Sequence, residues 1–274
     1  MTSSSPDTDY PEAGIPPVLS RAFEHENECG WPVTIARDAE VPYRCLWDRD
    51  ARARYPGKGI VPGVRRMTII CKTASFPFSR FPDLERLTVL HVRAGHLEEI
   101  ARLPKLRFLY MGTSLRDLDR LASVRTLQQI YMQHVDQLRS IDGLTDLPDL
   151  RTITIEGSSN LTELPAFGAA AHSLRGLTLR RLIPGNRNVF RTFEPLRALA
   201  HLRYLDLRTP AADASLLPLH GLSQLEYCDI LPAYFTRAEI EALRAVMPGV
   251  AGNLHREAEH AGSLVGGRPA SRRG

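Results

Sequence analysis

Leu103-Pro-Lys-Leu106-Arg-Phe-Leu109-Tyr-Met111 has the form LxxLxxLxL, and the chain repeats that form along most of its length. It recurs as Val124-Arg-Thr-Leu127-Gln-Gln-Ile130-Tyr-Met132 and as Leu147-Pro-Asp-Leu150-Arg-Thr-Ile153-Thr-Ile155. Further copies are Leu174-Arg-Gly-Leu177-Thr-Leu179, Leu199-Ala-His-Leu202-Arg-Tyr-Leu205-Asp-Leu207 and Leu222-Ser-Gln-Leu225-Glu-Tyr-Cys228-Asp-Ile230. Upstream, Val61-Pro-Gly-Val64-Arg-Arg-Met67-Thr-Ile69 and Leu84-Glu-Arg-Leu87-Thr-Val-Leu90-His-Val92 complete eight units. Marker positions 67, 90, 109, 130, 153, 177, 205 and 228 are 19 to 28 residues apart, the signature of a stacked repeat.

Two periods operate within each unit. The terminal LxL alternates as a strand must when one face is buried. Before it, apolar residues recur at every third position, as in Leu115, Leu118, Leu121, Val124 and Leu127. That spacing suits 3₁₀ turns or extended segments better than an α-helix. One unit cannot bury its own leucines, so neighbours must stack on parallel strands and share a continuous core. The frame of the second unit has an alternative, Leu84-Glu-Arg-Leu87-Thr-Val89. The later frame, ending on Leu90 and Val92, continues the three-residue run from Phe78 through Phe81, Leu84 and Leu87.

Over residues 61 to 231 the chain resembles the leucine-rich-repeat family. Short runs such as Leu138-Arg-Ser-Ile141-Asp-Gly-Leu144 are similar to the internalin-like subclass, and Leu150 through Leu164-Pro165 also resembles repeats of plant disease-resistance proteins. The resemblance implies an α/β solenoid: an arc with a concave parallel β-sheet, a convex side of 3₁₀ and irregular turns, and a C-terminal capping helix. It also implies a protein that binds other proteins. The family's usual asparagine after the strand is replaced here by Gly95, Ser114, Val135, Ser158, Leu182, Pro210 and Ala233, so no continuous asparagine ladder is expected. Irregularity should be greatest in Arg180 to Phe193.

The ends follow from the need to cap a solenoid. Residues 1–28 are rich in Ser, Pro and acid and read as disordered. Residues 29–60, with Val33-Thr-Ile35 and Tyr43-Arg-Cys-Leu-Trp47, read as an N-terminal cap of short strands before the repeats of 61–233. Thr236-Arg-Ala-Glu239 has the form of a capping box opening a helix within 234–250, with Phe235 and Ile240 at staple spacing. Its apolar stripe is Ile240, Leu243, Val246 and Met247, and Pro248-Gly249 stops it. Residues 251–274 read as a flexible tail.

Residues alternating with the strand leucines should point out of the concave sheet. Those expected to meet a partner protein are His91, Arg93, Phe108, Tyr110, Tyr131, Arg180, Tyr204, Asp206, Arg208, Tyr227 and Asp229. Four of the eight tyrosines of the chain fall on such positions, and tyrosine is both a hot-spot residue and a good strand former. Eight strands at ~4.8 Å span roughly 34 Å, enough for a standard interface. A second column, Arg65, Arg107, Arg151, Arg175 and Arg203, precedes the strands and offers an alternative: a rim for nucleic acid or another polyanion. The same column is equally a solvated edge that opposes aggregation.

Composition narrows the function classes. Of 35 basic residues only Lys58, Lys72 and Lys105 are lysine, and the net charge is +4. The arginines are spread along the chain, as a compositional bias would spread them. The start of the sequence shows no basic-then-apolar leader, and no run approaches 18 apolar residues, so a cytoplasmic protein with no membrane span is expected. Cys29, Cys45, Cys71 and Cys228 stand singly and read as reduced thiols, Cys228 as an apolar core filler. No histidine or cysteine spacing fits a metal site. Pro56-Gly57-Lys58-Gly59 lacks the spacing and the Ser/Thr of a phosphate-binding loop. The sequence therefore reads as a monomeric, non-catalytic binding scaffold without a cofactor.

Overall fold

In the computed structural model, residues 46–180 and 189–255 are described. The expectations for residues 1–45, for the turn through 181–188 and for the last 19 residues of the tail fall outside them. Each LxL alternation becomes a strand, and the strands stack in chain order into one parallel sheet. They are β1 (Leu46–Trp47), β2 (Arg66–Ile70), β3 (Arg86–Val92), β4 (Phe108–Thr113), β5 (Gln129–Gln133), β6 (Thr152–Glu156), β7 (Gly176–Arg180), β8 (Tyr204–Arg208) and β9 (Tyr227–Ile230). The register lines identical repeat positions side by side. One buried row runs Met67, Leu87, Leu109, Ile130, Ile153, Leu177, Leu205, Cys228, and the next runs Ile69, Val89, Met111, Met132, Ile155, Leu179, Leu207, Ile230. Each strand thus lays its leucines on those of its neighbours, which is the shared core the repeat demands.

The three-residue apolar period has a direct backbone cause. The amides of Leu121, Val124 and Leu127 donate to the carbonyls of Leu118, Leu121 and Val124 at 2.8, 2.9 and 3.0 Å. The same steps link Phe193, Leu196, Leu199 and Leu202, and Leu216, Leu219, Leu222 and Leu225. Every third side chain therefore lands on one side of a 3₁₀ ridge and enters the core. Packing between ridges is close: a Cβ added to Gly143 would lie 2.1 Å from the Leu118 carbonyl oxygen. Two repeats depart from the ridge with short α-helices, α2 (Ala94–Ile100) and α3 (Ala170–Ser173), and α1 (Asp48–Arg54) follows β1.

The second unit takes the earlier frame. Leu87 and Val89, not Leu90 and Val92, pair with Leu109 and Met111. Beyond Val89 the pairing shifts before resuming at Val92 opposite Thr113, and His91 adopts a left-handed φ of 59° in that bulge. The irregularity lets Val92 be buried as well, so both frames presented apolar residues to the core. His91 and Arg93 consequently leave the outward rows. Arg93 precedes α2, where its amide donates to Nδ1 of the buried His96 at 3.0 Å.

At the C-terminus α4 (Arg237–Val246) begins where Thr236 Oγ1 accepts from the Glu239 amide at 3.2 Å. Half of the capping box is absent, because Glu239 Oε2 accepts from the Leu216 amide at 2.8 Å and ties the helix to the preceding repeat. Leu243 and Met247 are buried, while Val246 is 49% exposed and lies off the stripe. Past the helix the chain stays packed where a tail was expected. Ala251 bridges to Tyr227, and Asn253 Oδ1 accepts from the Ile230 amide at 2.9 Å while its Nδ2 donates to the Ile230 carbonyl at 2.6 Å. Leu254 is buried. Backbone pairing with β9 thus satisfies an edge that would otherwise be open.

Candidate partner-binding face

Alternation places the outward residues of neighbouring strands in rows. The middle row runs Tyr110, Tyr131, Thr154, Thr178, Asp206, Asp229, and the row beside it Phe108, Gln129, Thr152, Gly176, Tyr204, Tyr227. Strand spacing is close to stacking distance, so tyrosines in adjacent strands stand ring to ring. Tyr110 and Tyr131 stack at 4.8 Å, and Tyr204 and Tyr227 at 5.0 Å. Phe108 lies under the Arg86 guanidinium, 4.9 Å from its ring centre. Arg86 reaches this face because β3 pairs in the frame of Leu87 and Val89, three residues before that of Leu90 and Val92.

Between the two tyrosine pairs lies a charged network. Tyr131 Oη donates to Glu156 Oε2 at 2.6 Å. Arg180 Nη1 donates to Glu156 Oε1 at 3.1 Å, and its Nε donates to Asp206 Oδ2 at 2.9 Å. Arg208 reaches Asp229 Oδ2 at 3.0 Å, and Asp229 Oδ1 accepts from the Asn253 amide at 2.8 Å. Tyr110 Oη closes the other end on Gln133 Oε1 at 2.6 Å. From Tyr131 on β5 the polar contacts run through Glu156, Arg180, Asp206, Arg208 and Asp229 to Asn253 in the C-terminal cap, and Tyr110 joins them by ring stacking. Arg180, on β7, thus bonds a carboxylate on each flanking strand.

Much of this face is buried rather than solvated, against the expectation of a freely exposed array. Phe108, Tyr131, Tyr204, Glu156, Asp229 and the whole of Asp206 are buried, as are Thr154 and Thr178, and Tyr110 and Tyr227 are half-buried. Burial raises the Asp206 pKa despite the opposing pull of Arg180. Burial works against the Arg180 charge, but Asp206 and Glu156 outweigh it and its pKa rises. Burial together with Glu156 pushes the Tyr131 hydroxyl well above its ordinary value. Thr154 Oγ1, Thr178 Oγ1, Tyr204 Oη and Asp206 Oδ1 have no hydrogen-bond partner among the described residues. Asp206 Oδ1 has Arg208 Nε at 3.3 Å, an ion-pair contact only. Four buried polar atoms without a partner among the described residues thus lie on three adjacent strands, where such atoms are uncommon.

A parallel sheet built of stacked LxL strands also occurs in solved repeat proteins. A Listeria monocytogenes internalin, inlF, superposes with a TM-score of 0.51 at 14% identity, covering 88% of this chain and 69% of its own. Internalin C2 of the same organism gives 0.40 at 15% identity over 88% and 84% of the two chains. A leucine-rich-repeat protein of Leptospira interrogans gives 0.37 at 14% identity over 68% and 60%. The chain has a leucine-rich-repeat fold. No protein-family model matches it, and no curated protein does.

In this leucine-rich-repeat domain the arginine column becomes a backbone ladder. The amides of Glu85, Arg107, Gln128, Arg151, Arg175, Arg203 and Glu226 each donate to the carbonyl of the residue one strand earlier, starting from Arg65. Glutamates interrupt it at both ends: Arg65 Nε donates to Glu85 at 2.9 Å, and Arg203 Nε to Glu226 at 2.7 Å. Arg175 Nη1 turns inward to the carbonyls of His172 and Leu174 at 2.9 and 3.1 Å. Cys228 occupies the core row and burial pushes its thiol up to about 12. No helix among the described residues is long and apolar enough to cross a membrane.

Proposed function

We propose that this chain is a non-catalytic protein-binding scaffold, an inhibitor, immunity-type or adaptor protein that acts in the cytoplasm as a monomer. Its partner lies on the concave face. One observation carries the reading: the paired tyrosines and the Glu156–Arg180–Asp206 network place aromatic area and preorganised polar groups on one surface. Aromatic and arginine side chains dominate binding energy at protein interfaces, and groups already held in place lose little entropy on binding. The arginine rim gains no comparable support, because glutamates neutralise its two ends.

The test uses residues that reach the surface, since truncating the buried Phe108 or Tyr131 would disturb packing. Tyr110→Ala with Arg208→Glu alters the half-buried tyrosine and the guanidinium whose side chain is 45% exposed. Partners crosslinked in source-organism extract by the wild type should be lost from this variant and kept by Arg139→Glu, a change on an exposed turn residue. Retention of every partner by a folded Tyr110→Ala/Arg208→Glu protein sinks the reading.

A further inference from the structure

The N-terminal end of the solenoid carries a cavity that the concave face does not explain. Arg52, Tyr55, Gly57, Lys58, Pro77 and Arg80 line an open-sided cavity of about 320 Å³ between α1 and the first convex turn. Three of these six residues are cationic and none is acidic. Two of the cations are aimed by neutral groups. Arg80 donates from Nε to the Gly59 carbonyl at 2.7 Å, from Nη1 to Tyr55 at 3.1 Å and from Nη2 to Pro56 at 3.3 Å. Arg52 donates from Nη2 to the Ser75 carbonyl at 2.9 Å and lies 5.6 Å from the Phe76 ring centre. Carbonyl oxygens fix the guanidinium planes and carry no formal charge, and neither guanidinium has an acidic partner among the described residues. Lys58 is exposed and has no partner among the described residues.

We propose that this cavity binds a small phosphate-bearing anion. Three positive charges lining one space repel one another, and a multiply charged anion turns that repulsion into attraction. Guanidinium groups supply planar pairs of donors to phosphate oxygens, and Lys58 adds a mobile point charge. The space is larger than a single inorganic phosphate needs. A diphosphate or a phosphate monoester fits the space better. Gly57 has a left-handed φ of 85°, and a Cβ at either Gly57 or Gly59 would meet nothing within 4 Å, so this loop is shaped by conformation and not by packing. Pro56-Gly57-Lys58-Gly59 acts through the lysine side chain, not through the backbone cradle of a phosphate-binding loop.

Calorimetric titration of the full chain with pyrophosphate, and separately with inorganic phosphate, tests the site. Pyrophosphate should bind saturably at one site, more tightly than phosphate, with an affinity that falls as salt rises. Lys58→Ala and Arg52→Gln should each weaken it by about tenfold or more, while Arg139→Ala leaves it unchanged. Both cavity variants should melt like the wild type, since neither removes core packing; Arg80 is left intact because it holds the loop. Absence of saturable binding up to millimolar pyrophosphate overturns the proposal. So does equal binding by wild type and a Lys58→Ala/Arg52→Gln double variant, or an equal loss in Arg139→Ala.

Discussion

Arg180→Ala isolates the charged network at its centre. The Arg180 side chain is 10% exposed and lies between Glu156 and Asp206, whose side chains are 7% and 0% exposed. Removing the guanidinium leaves two buried carboxylates without a cation between them, a change that costs about 3–5 kcal/mol when a buried pair is broken. For a domain of this size the melting temperature should fall by roughly 6–20 °C. The pH dependence supplies a sharper test. Asp206 already has a folded pKa above the ordinary aspartate value, because burial outweighs the lowering by Arg180. An acid with a raised folded pKa binds more protons folded than unfolded, so its contribution to stability is greatest at low pH and declines as pH rises through that window. Without Arg180 the pKa moves higher still. The deficit of the variant should therefore be largest near neutrality and shrink as pH falls toward about 4–5. Thermal melts of wild type and variant across that range measure it. Arg180→Met combined with Asp206→Asn and Glu156→Gln, which removes every charge of the trio, should recover most of the loss. A neutral-pH loss below about 1 kcal/mol, or one independent of pH, would refute the buried-network reasoning.

The C-terminal cap gives two further outcomes. Leu243→Asp places a charge at a fully buried site and should cost several kcal/mol. Val246→Asp, on the exposed side of the same helix, should stay within about 0.5 kcal/mol; equal losses in the two melts would show that α4 packs differently. Asn253→Ala orphans the Ile230 amide and carbonyl and should lower the melting temperature by about 3–8 °C. An unchanged melt would mean that β9 does not need its edge covered.

Fold and strand positions were legible because two physical periods are written into the residues. Position pairs such as Leu109/Met111 and Ile153/Ile155 alternate, and Leu118, Leu121, Val124 and Leu127 step by three because successive 3₁₀ hydrogen bonds join them. Where both frames satisfied the pattern, as between Leu87/Val89 and Leu90/Val92, pattern alone could not choose. The register with β2 and β4 chose, and a bulge at His91 accommodated the surplus apolar residue. The role of Glu239 was invisible for a related reason: a carboxylate at the third helical position serves the helix amide or a neighbouring chain equally well, and here Leu216 wins. Ala251 to Leu254 lacks any repeat, so nothing local announced that it would pair with β9. At the site, the outward rows followed from alternation, whereas their burial and the Glu156–Arg180–Asp206 bridges depend on side chains meeting across strands 24 to 26 residues apart in sequence.

The inward rows and the outward rows answer to different requirements. Inward, almost any apolar residue of suitable volume serves, and Cys228 or Met132 can stand where leucine stands elsewhere. The stack of leucines would form with an outward face of threonine and exposed charge, which is cheap in free energy and resists aggregation. This chain instead places Glu156, Asp206 and Asp229 out of water and holds them with Arg180 and Arg208. Buried ion pairs contribute little net stability, because desolvation offsets their attraction, and an apolar replacement often does as well. Nor do they fix the register here, which the leucine rows already determine. Folding therefore gives no reason for the network, and the four unsatisfied polar atoms beside it make the face costlier still. What such a face does supply is donors, acceptors and stacked rings fixed before any partner arrives, and that is the property a specific binding surface requires.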